Sequence, residues 1–357
     1  MANIILHQAP RQEERFMTGY ASFDYALGDN MGNIGMPLRT FWEIAGPSGL
    51  GKTTFGLSLI SRMAAKYGRD ITFLDFEGQS HVTLNNVLDN SQFNGAFNYH
   101  SYAVETDDGG KKKKKEDDGE KKKVKEKKKE VKEKTSEEIL SESIRAIKLE
   151  RPAHFVMVDS IAGFSPTALL EGGLSDANMG KMAFITKQWA KQSVAALLTS
   201  SQPTVSIFIN HLMPTFQKGP MPSADHTTGG RGKEYLSTHA IRLNKTYSKG
   251  YLDYDEGLLL EGSVHKNRDG YKKRGFYVFM VYGEGINYNL TAMFDCLMSA
   301  EELATKDSSG FINIDDRKLL RINDMIAQRF DNSLFEPFHN AIRATKLTQS
   351  QSADEET

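Results

Sequence analysis

The stretch GPSGLGKT at residues 46–53 decides the fold, because it matches GxxxxGK followed by Ser or Thr, the pattern of a phosphate-binding loop. The apolar run TFWEIA (residues 40–45) precedes it and predicts a buried strand. The run TTFGLSLISRMAAKYG (residues 53–68) follows it and predicts a helix that ends at Gly68. Between a strand and a helix, the N–H groups of a glycine-rich turn can surround phosphate oxygens. The sequence therefore predicts a P-loop.

The P-loop predicts a site for ATP and Mg²⁺. Lys52 is expected to reach the β and γ phosphates, and the Thr53 hydroxyl is expected to bind the metal ion. Asp159 ends the apolar run FVMVDS (residues 155–160), where a second metal residue acting through water should lie. The expected nucleotide contacts are Gly46, Pro47, Ser48, Gly49, Leu50, Gly51, Lys52, Thr53 and Thr54.

A further carboxylate would separate hydrolysis of ATP from mere binding. Glu77 directly follows the apolar run ITFLDF (residues 71–76), at the edge where the phosphates should lie. A carboxylate there could orient and deprotonate the attacking water, which makes Glu77 the catalytic candidate. Asp75 is its nearest rival, but it belongs to the body of the predicted strand.

Apolar runs alternate with helical patterns between residues 41 and 210, as in a parallel α/β sheet. TVSIFIN (residues 204–210) predicts another central strand, and a stripe of Leu140, Ile144 and Ile147 predicts a helix. Runs that begin at residues 240, 258 and 276 predict additional strands with hairpin-like connections. The predicted fold class is α/β, with a mostly parallel central sheet and a small helix-rich C-terminal unit.

Amino-acid composition separates one highly charged segment from the rest of the chain. Residues 107–134 contain 14 Lys and 9 acidic residues and have almost nothing to bury, which predicts a solvated insertion, either a disordered loop or a single helix. Because Glu and Asp are interleaved with Lys, direct contact with DNA is the less favoured role for this insertion. The insertion interrupts a core predicted at residues 18–290. The other predicted parts are a short N-terminal segment at 1–17 that could contact another protomer, a small C-terminal domain at 291–345, and a disordered tail at 346–357.

Charge and cysteine content exclude few function classes. The 357 residues carry a formal net charge of −1, which neither favours nor opposes binding to nucleic acid. Cys296 is the only cysteine, which excludes an intrachain disulfide and favours a reducing compartment. No apolar run approaches the ~18 residues of a membrane span, and the first residues lack the pattern of a secretion signal. We expect a soluble, cytoplasmic protein without a membrane partner.

The ordered motifs resemble those of the RecA/RadA recombinase family, in particular its RecA-type and phage UvsX-type members. The matching segments are SFDYALG (22–28), the P-loop, FLDFE (73–77), VDSIAGFSP (158–166), EGGLSDANMG (171–180), FINH (208–211), TTGG (227–230), HKNRDG (265–270) and YGEGIN (282–287). The resemblance implies a RecA-like P-loop ATPase core in a bacterial or phage-infected cytoplasm. It also implies the catalytic role of Glu77 and places His211 at the sensor of the γ-phosphate. Lys266 and Arg268 are implied to reach the ATP of a neighbouring protomer.

Two segments resemble the DNA-binding loops of that family. In the first, Met179 is similar to the methionine that wedges between nucleotide triplets. The second extends from residue 211 to 230; in it and just beyond, Lys218 and Arg231 could pair with phosphates while Phe216 and Met221 offer stacking or wedging surface. The complete set of candidate DNA-binding residues is Met179, Phe216, Lys218, Met221, Thr227, Thr228, Gly229, Gly230 and Arg231.

The leading hypothesis is a DNA-dependent ATPase that forms ATP-bound helical filaments on single-stranded DNA and pairs it with homologous double-stranded DNA, with mediator or single-strand-binding proteins as possible partners. Two alternatives stay open. A hexameric helicase or translocase on the same core predicts closed rings. A nucleotide-gated RecA-like ATPase that does not act on DNA, as in clock-type relatives, predicts no stimulation by DNA.

Overall fold

A computed structural model gives the architecture. The structure describes residues 14–29, 31–78, 81–101, 136–148, 154–161, 176–213, 226–227, 233, 236–246, 254–268, 270 and 274–355. The predicted insertion at 107–134 lies outside these residues, as do the candidate DNA-binding residues at positions 216, 218, 221 and 228–231.

The core alternates strands with helices and ends in a run of strands. Its elements are β1 (Arg15–Phe16), α1 (Ala21–Ala26), β2 (Met36–Pro37), β3 (Thr40–Gly46), α2 (Lys52–Tyr67), β4 (Ile71–Asp75), α3 (His81–Asn90), β5 (Phe97–Ser101), α4 (Ser136–Lys148), β6 (Phe155–Asp159), α5 (Asp176–Thr199), β7 (Val205–Met213), β8 (His226–Thr227), β9 (His239–Lys245), β10 (Gly257–Asn267), β11 (Gly275–Val281) and β12 (Gly285–Ile286).

Most core strands form one large sheet. Among the described residues it has ten strands in the order β12-β11-β10-β9-β3-β7-β6-β4-β5, with β8 paired to β7. The strands from β9 to β5 pair in parallel, whereas β9 to β12 pair antiparallel. The predicted α/β class with a mostly parallel central sheet is therefore confirmed. The carboxyl ends of β3, β4, β6 and β7 meet at one edge, where ligands bind in open α/β sheets.

The parallel strands are continuous apolar runs because helices cover both faces of the sheet. All residues of β3, β4 and β6 are buried. On one face, α5 is fixed by Trp189, whose ring lies 5.3 Å from that of Phe41 and 5.7 Å from that of Phe208. The indole N–H of Trp189 also donates to the Ser143 hydroxyl of α4 at 2.8 Å. Each such aromatic side chain contributes ~2 kcal/mol by burial.

The predicted strands and helices of the core are present within one to three residues of their expected bounds. The sequence did not indicate α3, β5 or the two-stranded β1-β2 pair. β5 has the sequence FNYHS, in which polar and aromatic residues are mixed. It lies at the edge of the sheet and pairs only with β4 among the described strands. An edge strand needs a less continuous apolar run than a central one.

The C-terminal unit packs against the antiparallel end of the sheet. Its elements are α6 (Tyr288–Met298), β13 (Ala304–Lys306), β14 (Phe311–Ile314), β15 (Arg317–Arg321), α7 (Ile322–Ala327) and α8 (Asn332–Glu355). The rings of Phe279 in β11 and Phe294 in α6 stack at 5.0 Å, which joins this unit to the core.

Two features of this unit differ from the sequence prediction. A three-stranded antiparallel sheet, β13-β14-β15, lies within a unit predicted to be helix-rich. Its strands are three to five residues long, too short for a clear period-two pattern. α8 also continues to Glu355, into the tail that was predicted to be disordered from residue 346. The tail lacks Pro and Gly as far as this point, so nothing in its composition breaks the helix. Within the described residues, no helix is long and apolar enough to cross a membrane.

Candidate nucleotide-binding and catalytic site

The P-loop connects β3 to α2 at the carboxyl edge of the sheet. Gly49 and Gly51 have φ values of +74° and +77°, a left-handed conformation that favours glycine. Gly51 is the residue before α2, and no side chain caps the N-terminus of that helix. Its first N–H groups are therefore available to phosphate oxygens, and the helix dipole favours an anion at the same place. These features fit a nucleotide phosphate.

Lys52 begins α2 and is almost fully buried. Its ammonium group donates to the Pro47 carbonyl at 2.8 Å, inside the P-loop, and lies 3.4 Å from Nδ1 of His211. Burial lowers the pKa of Lys52, and the carboxylates of Asp159 and Glu77 oppose that shift. A buried cation at the helix N-terminus is positioned to hold the β and γ phosphates.

Thr53 and Asp159 lie together, as a magnesium site requires. The Thr53 hydroxyl donates to Oδ2 of Asp159. The other carboxylate oxygen, Oδ1, is buried and has no hydrogen-bond partner among the described residues. Burial raises the pKa of Asp159 to about 7, partly offset by the Thr53 hydrogen bond, while Glu77 and Asp75 raise it further. A buried carboxylate oxygen without a donor fits a bound cation or its water, so Thr53 and Asp159 could hold Mg²⁺ with the phosphates.

Glu77 lies two residues after the end of β4, and two hydrogen bonds hold its carboxylate. The Ser160 hydroxyl donates to Oε1 of Glu77, and Nε2 of His211 lies 3.1 Å from the same oxygen. Burial alone would raise the pKa of Glu77, but these two contacts and the charge of Lys52 hold it below its ordinary value. An ionised carboxylate next to the P-loop can accept a proton from water or orient it.

Asp75 organises the turn that presents Glu77. Its Oδ1 accepts the backbone N–H groups of Glu77 and Gly78 at 2.9 and 2.8 Å, and its Oδ2 accepts the Tyr99 hydroxyl at 2.8 Å. The Asp75 carboxylate is buried and occupied by these donors. Of the two rival carboxylates, Glu77 is the one that faces the P-loop lysine and His211.

His211 connects the catalytic candidate to the P-loop. It lies in β7, paired in register with Gly46 at the end of β3. Nδ1 is near the Lys52 ammonium and Nε2 is near Glu77, so a neutral imidazole with its proton on Nε2 satisfies both contacts. This tautomer is assigned from the hydrogen-bond network. The structure thus brings together Lys52, Thr53, Glu77, Asp159 and His211.

Lys266 and Arg268 lie in and just after β10, away from the edge of the sheet that carries the P-loop. Lys266 pairs with Ala240 of β9, which pairs with Glu43 of β3, three positions before the P-loop begins at Gly46. Three positions along a strand are about 10 Å. Because β10 runs antiparallel to β3, Arg268 lies farther still from the phosphate edge. These two residues are not part of the nucleotide site of their own chain.

Of the candidate DNA-binding residues, the structure describes two. Met179 belongs to the first turn of α5, which begins directly after the undescribed residues 162–175. Thr227 is buried in β8, and its hydroxyl accepts from the ammonium group of Lys233 at 2.5 Å. With only 2% of its surface exposed, Thr227 offers almost nothing to DNA in this conformation.

Several site residues were missed by the sequence analysis. Ser160 could have been found from its place directly after Asp159. Glu43, Asn210 and Lys233 form a buried polar cluster, in which Oε1 of Glu43 accepts from Asn210 Nδ2 at 2.7 Å and from Lys233 Nζ at 3.0 Å. Nothing in the local sequence signals that Lys233 is buried, because Lys is normally exposed.

The fold and the site together define a RecA-like P-loop ATPase. A family model described as "ATPase: KaiC" matches residues 17–289, and the chain belongs to this ATPase family. The chain is 26% identical over 314 residues to Protein RecA of Chlamydia abortus, and the aligned region covers 88% of this chain and 77% of the relative. It is 28% identical over 303 residues to Protein RecA of Mannheimia haemolytica, covering 84% of this chain and 67% of the relative. The finer assignment to RecA-type or UvsX-type recombinases stays a prediction.

Proposed function

We propose that this protein is a DNA-dependent ATPase that assembles into ATP-bound filaments on single-stranded DNA and drives strand exchange with homologous double-stranded DNA. The observation that carries the proposal is the position of the two segments that resemble DNA-binding loops. The two segments that resemble DNA-binding loops follow β6 and β7, the strands that supply Asp159 and His211 to the nucleotide site. The second segment begins at His211 itself and the first follows Asp159 along the chain, so DNA on these segments would act on chain that continues directly from the groups proposed to contact ATP and Mg²⁺.

The residues of the site divide the work of hydrolysis. Lys52 and the P-loop N–H groups hold the phosphates, and Thr53 with Asp159 would hold Mg²⁺, which supplies charge to the leaving and transferring groups when bound. Glu77 orients a water and accepts its proton. Ser160 and His211 keep the Glu77 carboxylate ionised and in place. His211 also lies beside Lys52, so it is positioned to respond to the presence of a γ-phosphate.

Lys266 and Arg268 act on a neighbouring protomer in this proposal. Their distance from the P-loop, about 10 Å along the strand direction for Lys266 and more for Arg268, supports an action in trans, because their own nucleotide site is out of reach. A basic group from a neighbour stabilises the charge that develops on the γ-phosphate only when subunits are aligned. Hydrolysis would then depend on assembly.

Electron microscopy with single-stranded DNA and a slowly hydrolysed ATP analogue tests the proposal. We expect helical filaments that require both the DNA and the nucleotide, together with ATP turnover that rises when single-stranded DNA is added. Closed rings that unwind duplex DNA would instead support the helicase or translocase alternative.

A second candidate is a nucleotide-gated ATPase that does not act on DNA. The match of residues 17–289 to the family model described as "ATPase: KaiC" favours keeping this candidate. It predicts ATP-dependent oligomers whose formation and turnover are the same with and without single-stranded DNA.

A further inference from the structure

Glu43 in β3, Asn210 in β7 and Lys233 form a buried cluster that contains two charged side chains. Glu43 and Lys233 are 1% and 0% exposed, and their charged groups are 3.0 Å apart. Taking two such charges out of water costs several kcal/mol per ion, and their attraction often does no more than offset this cost. Packing alone would be served as well by apolar side chains. The cluster therefore calls for an explanation beyond stability.

One end of the cluster reaches the catalytic site through Asn210. Its side-chain N–H group donates to Glu43, and its Oδ1 accepts the backbone N–H of His211 at 2.9 Å. Glu43 thus fixes the rotation of the Asn210 amide, and the amide fixes the backbone of the residue that contacts both Lys52 and Glu77. A shift of the His211 ring would change its distances to both Lys52 and Glu77.

The other end of the cluster is attached to the chain on both sides of a predicted DNA-binding segment. Lys233 donates to Glu43 and to the hydroxyl of Thr227. In the sequence, Thr227 and Lys233 flank positions 228–231, which are candidate DNA-binding residues. The two flanks are therefore tied to each other and to β3 through one buried ammonium group.

We propose that Glu43, Asn210 and Lys233 are positioning residues that fix His211 in the nucleotide site and make its placement sensitive to DNA. The positioning of His211 needs only the ATPase class of the protein, whereas the sensitivity to DNA rests on the proposed function. The path runs from Lys233 to Glu43, to the amide of Asn210, and to the backbone of His211, and every contact in it is between buried or half-buried groups.

A double-mutant cycle tests the positioning of His211. Asn210→Ala is expected to lower kcat for ATP, without DNA, by about 10-fold and to change KM by less than about 3-fold, because misplacement affects the chemical step more than binding. In a His211→Ala background the same substitution should have almost no further effect, since Asn210 acts through His211. Circular dichroism melts confirm folding, and Asn210→Ser replaces the alanine variant if that variant does not fold.

Ser206→Ala provides the matched control for this cycle. Ser206 is a buried polar residue of the same strand, and its hydroxyl has no hydrogen-bond partner among the described residues. We expect near wild-type turnover, and the same small effect with and without His211→Ala. An Asn210 effect of equal size in both backgrounds would overturn the positioning role, because a merely structural defect is indifferent to the side chain at 211.

The double variant Glu43→Gln, Lys233→Met tests the sensitivity to DNA. Gln retains an acceptor for Asn210, and removing both charges avoids leaving one of them buried alone. The quantity measured is the ratio of ATP turnover with and without a poly-dT oligonucleotide. We expect this ratio to fall towards one, with the oligonucleotide still bound in an anisotropy assay. If the double variant does not fold, Glu43→Gln alone replaces it and should lower the ratio.

The outcomes separate this inference from the proposed function. Full stimulation by poly-dT in a folded variant would overturn the DNA sensitivity of the cluster and leave the proposed function standing. A wild-type protein that is not stimulated by poly-dT would overturn both the proposed function and the DNA sensitivity. The positioning of His211 would then be decided by the cycle without DNA alone.

Discussion

Single residues at the nucleotide site have separable tasks. Lys52 and Glu77 both lie near His211, but one is a buried cation at a helix N-terminus and the other is a carboxylate with a third of its side chain exposed. A cation there contributes to binding phosphate, whereas a carboxylate contributes only once water is to be activated. Substitutions at the two positions should therefore affect different steps.

Glu77→Gln should retain ATP binding and lose hydrolysis. The amide keeps the size of the side chain but accepts a proton far less readily than the carboxylate, so we expect a fall of about 100-fold or more in turnover. Fluorescent-nucleotide binding and steady-state phosphate release measure the two properties. Glu261→Gln, at an exposed position of β10, is the control for the chemical change. Equal turnover in the Glu77 variant and wild type would remove Glu77 from the catalytic role.

At the scale of elements, the bounds of strands and helices were predicted best where they depend on neighbouring residues alone. The β3, P-loop and α2 unit was predicted almost to the residue, because glycine conformations, an apolar strand and a helix N-terminus all follow from neighbouring positions. The buried cluster of Glu43, Asn210 and Lys233 behind the nucleotide site could not be predicted. The contacts of Glu43, Asn210 and Lys233 join positions up to 190 residues apart, and no periodicity links them.

Burial of Asp295 in α6 is expected to make the free energy of unfolding depend on pH. Asp295 is buried, accepts the backbone N–H of Tyr277 in β11 at 3.2 Å, and is hydrogen-bonded by Ser22 in α1. Burial raises its pKa from 3.8 to about 7, while those hydrogen bonds and the charge of Lys346 oppose the shift. Between pH values of about 4 and 7 the folded chain therefore holds more protons at this site than the unfolded chain, so this carboxyl lowers stability as the pH rises through that window.

Asp295→Asn should remove this contribution. The free energy of unfolding of the variant, relative to wild type, should increase between pH 5 and 7 with a slope of up to about 1.4 kcal/mol per pH unit. Urea unfolding at several pH values measures it. Asp324→Asn, at an exposed position of α7, controls for the substitution. A difference between variant and wild type that is constant with pH would show that Asp295 is ionised in both states.

At the scale of the whole molecule, the charged insertion should be dispensable for the nucleotide site. Residues 107–134 contain only two apolar side chains, Val124 and Val131, so their removal takes almost nothing from a core. We expect a chain in which a short Gly-Ser linker replaces them to fold and to keep basal ATP turnover within about 3-fold of wild type, since loop closure depends weakly on length. Loss of soluble protein on this deletion would contradict the prediction.

Lys266→Ala with Arg268→Ala should preserve folding and ATP binding but remove most DNA-stimulated hydrolysis. Lys52→Ala should be inactive for a different reason, because its own phosphate site is incomplete. Mixing the two proteins should restore part of the activity, since an intact P-loop from one chain would meet intact basic residues from the other. Activity assays of the mixture at fixed total protein measure this rescue. A mixture that assembles on DNA and stays inactive would disprove the action in trans.

If Lys266 and Arg268 act in trans, their separation from the P-loop determines how many complete sites an assembly contains. Each subunit would then carry one part of a site on each of two contact surfaces, and an open row of subunits would contain one fewer complete site than it has members. A closed ring contains as many sites as members. Specific activity per subunit should therefore climb with the length of an open row and level off, whereas in a ring it should be fixed from the moment the ring closes.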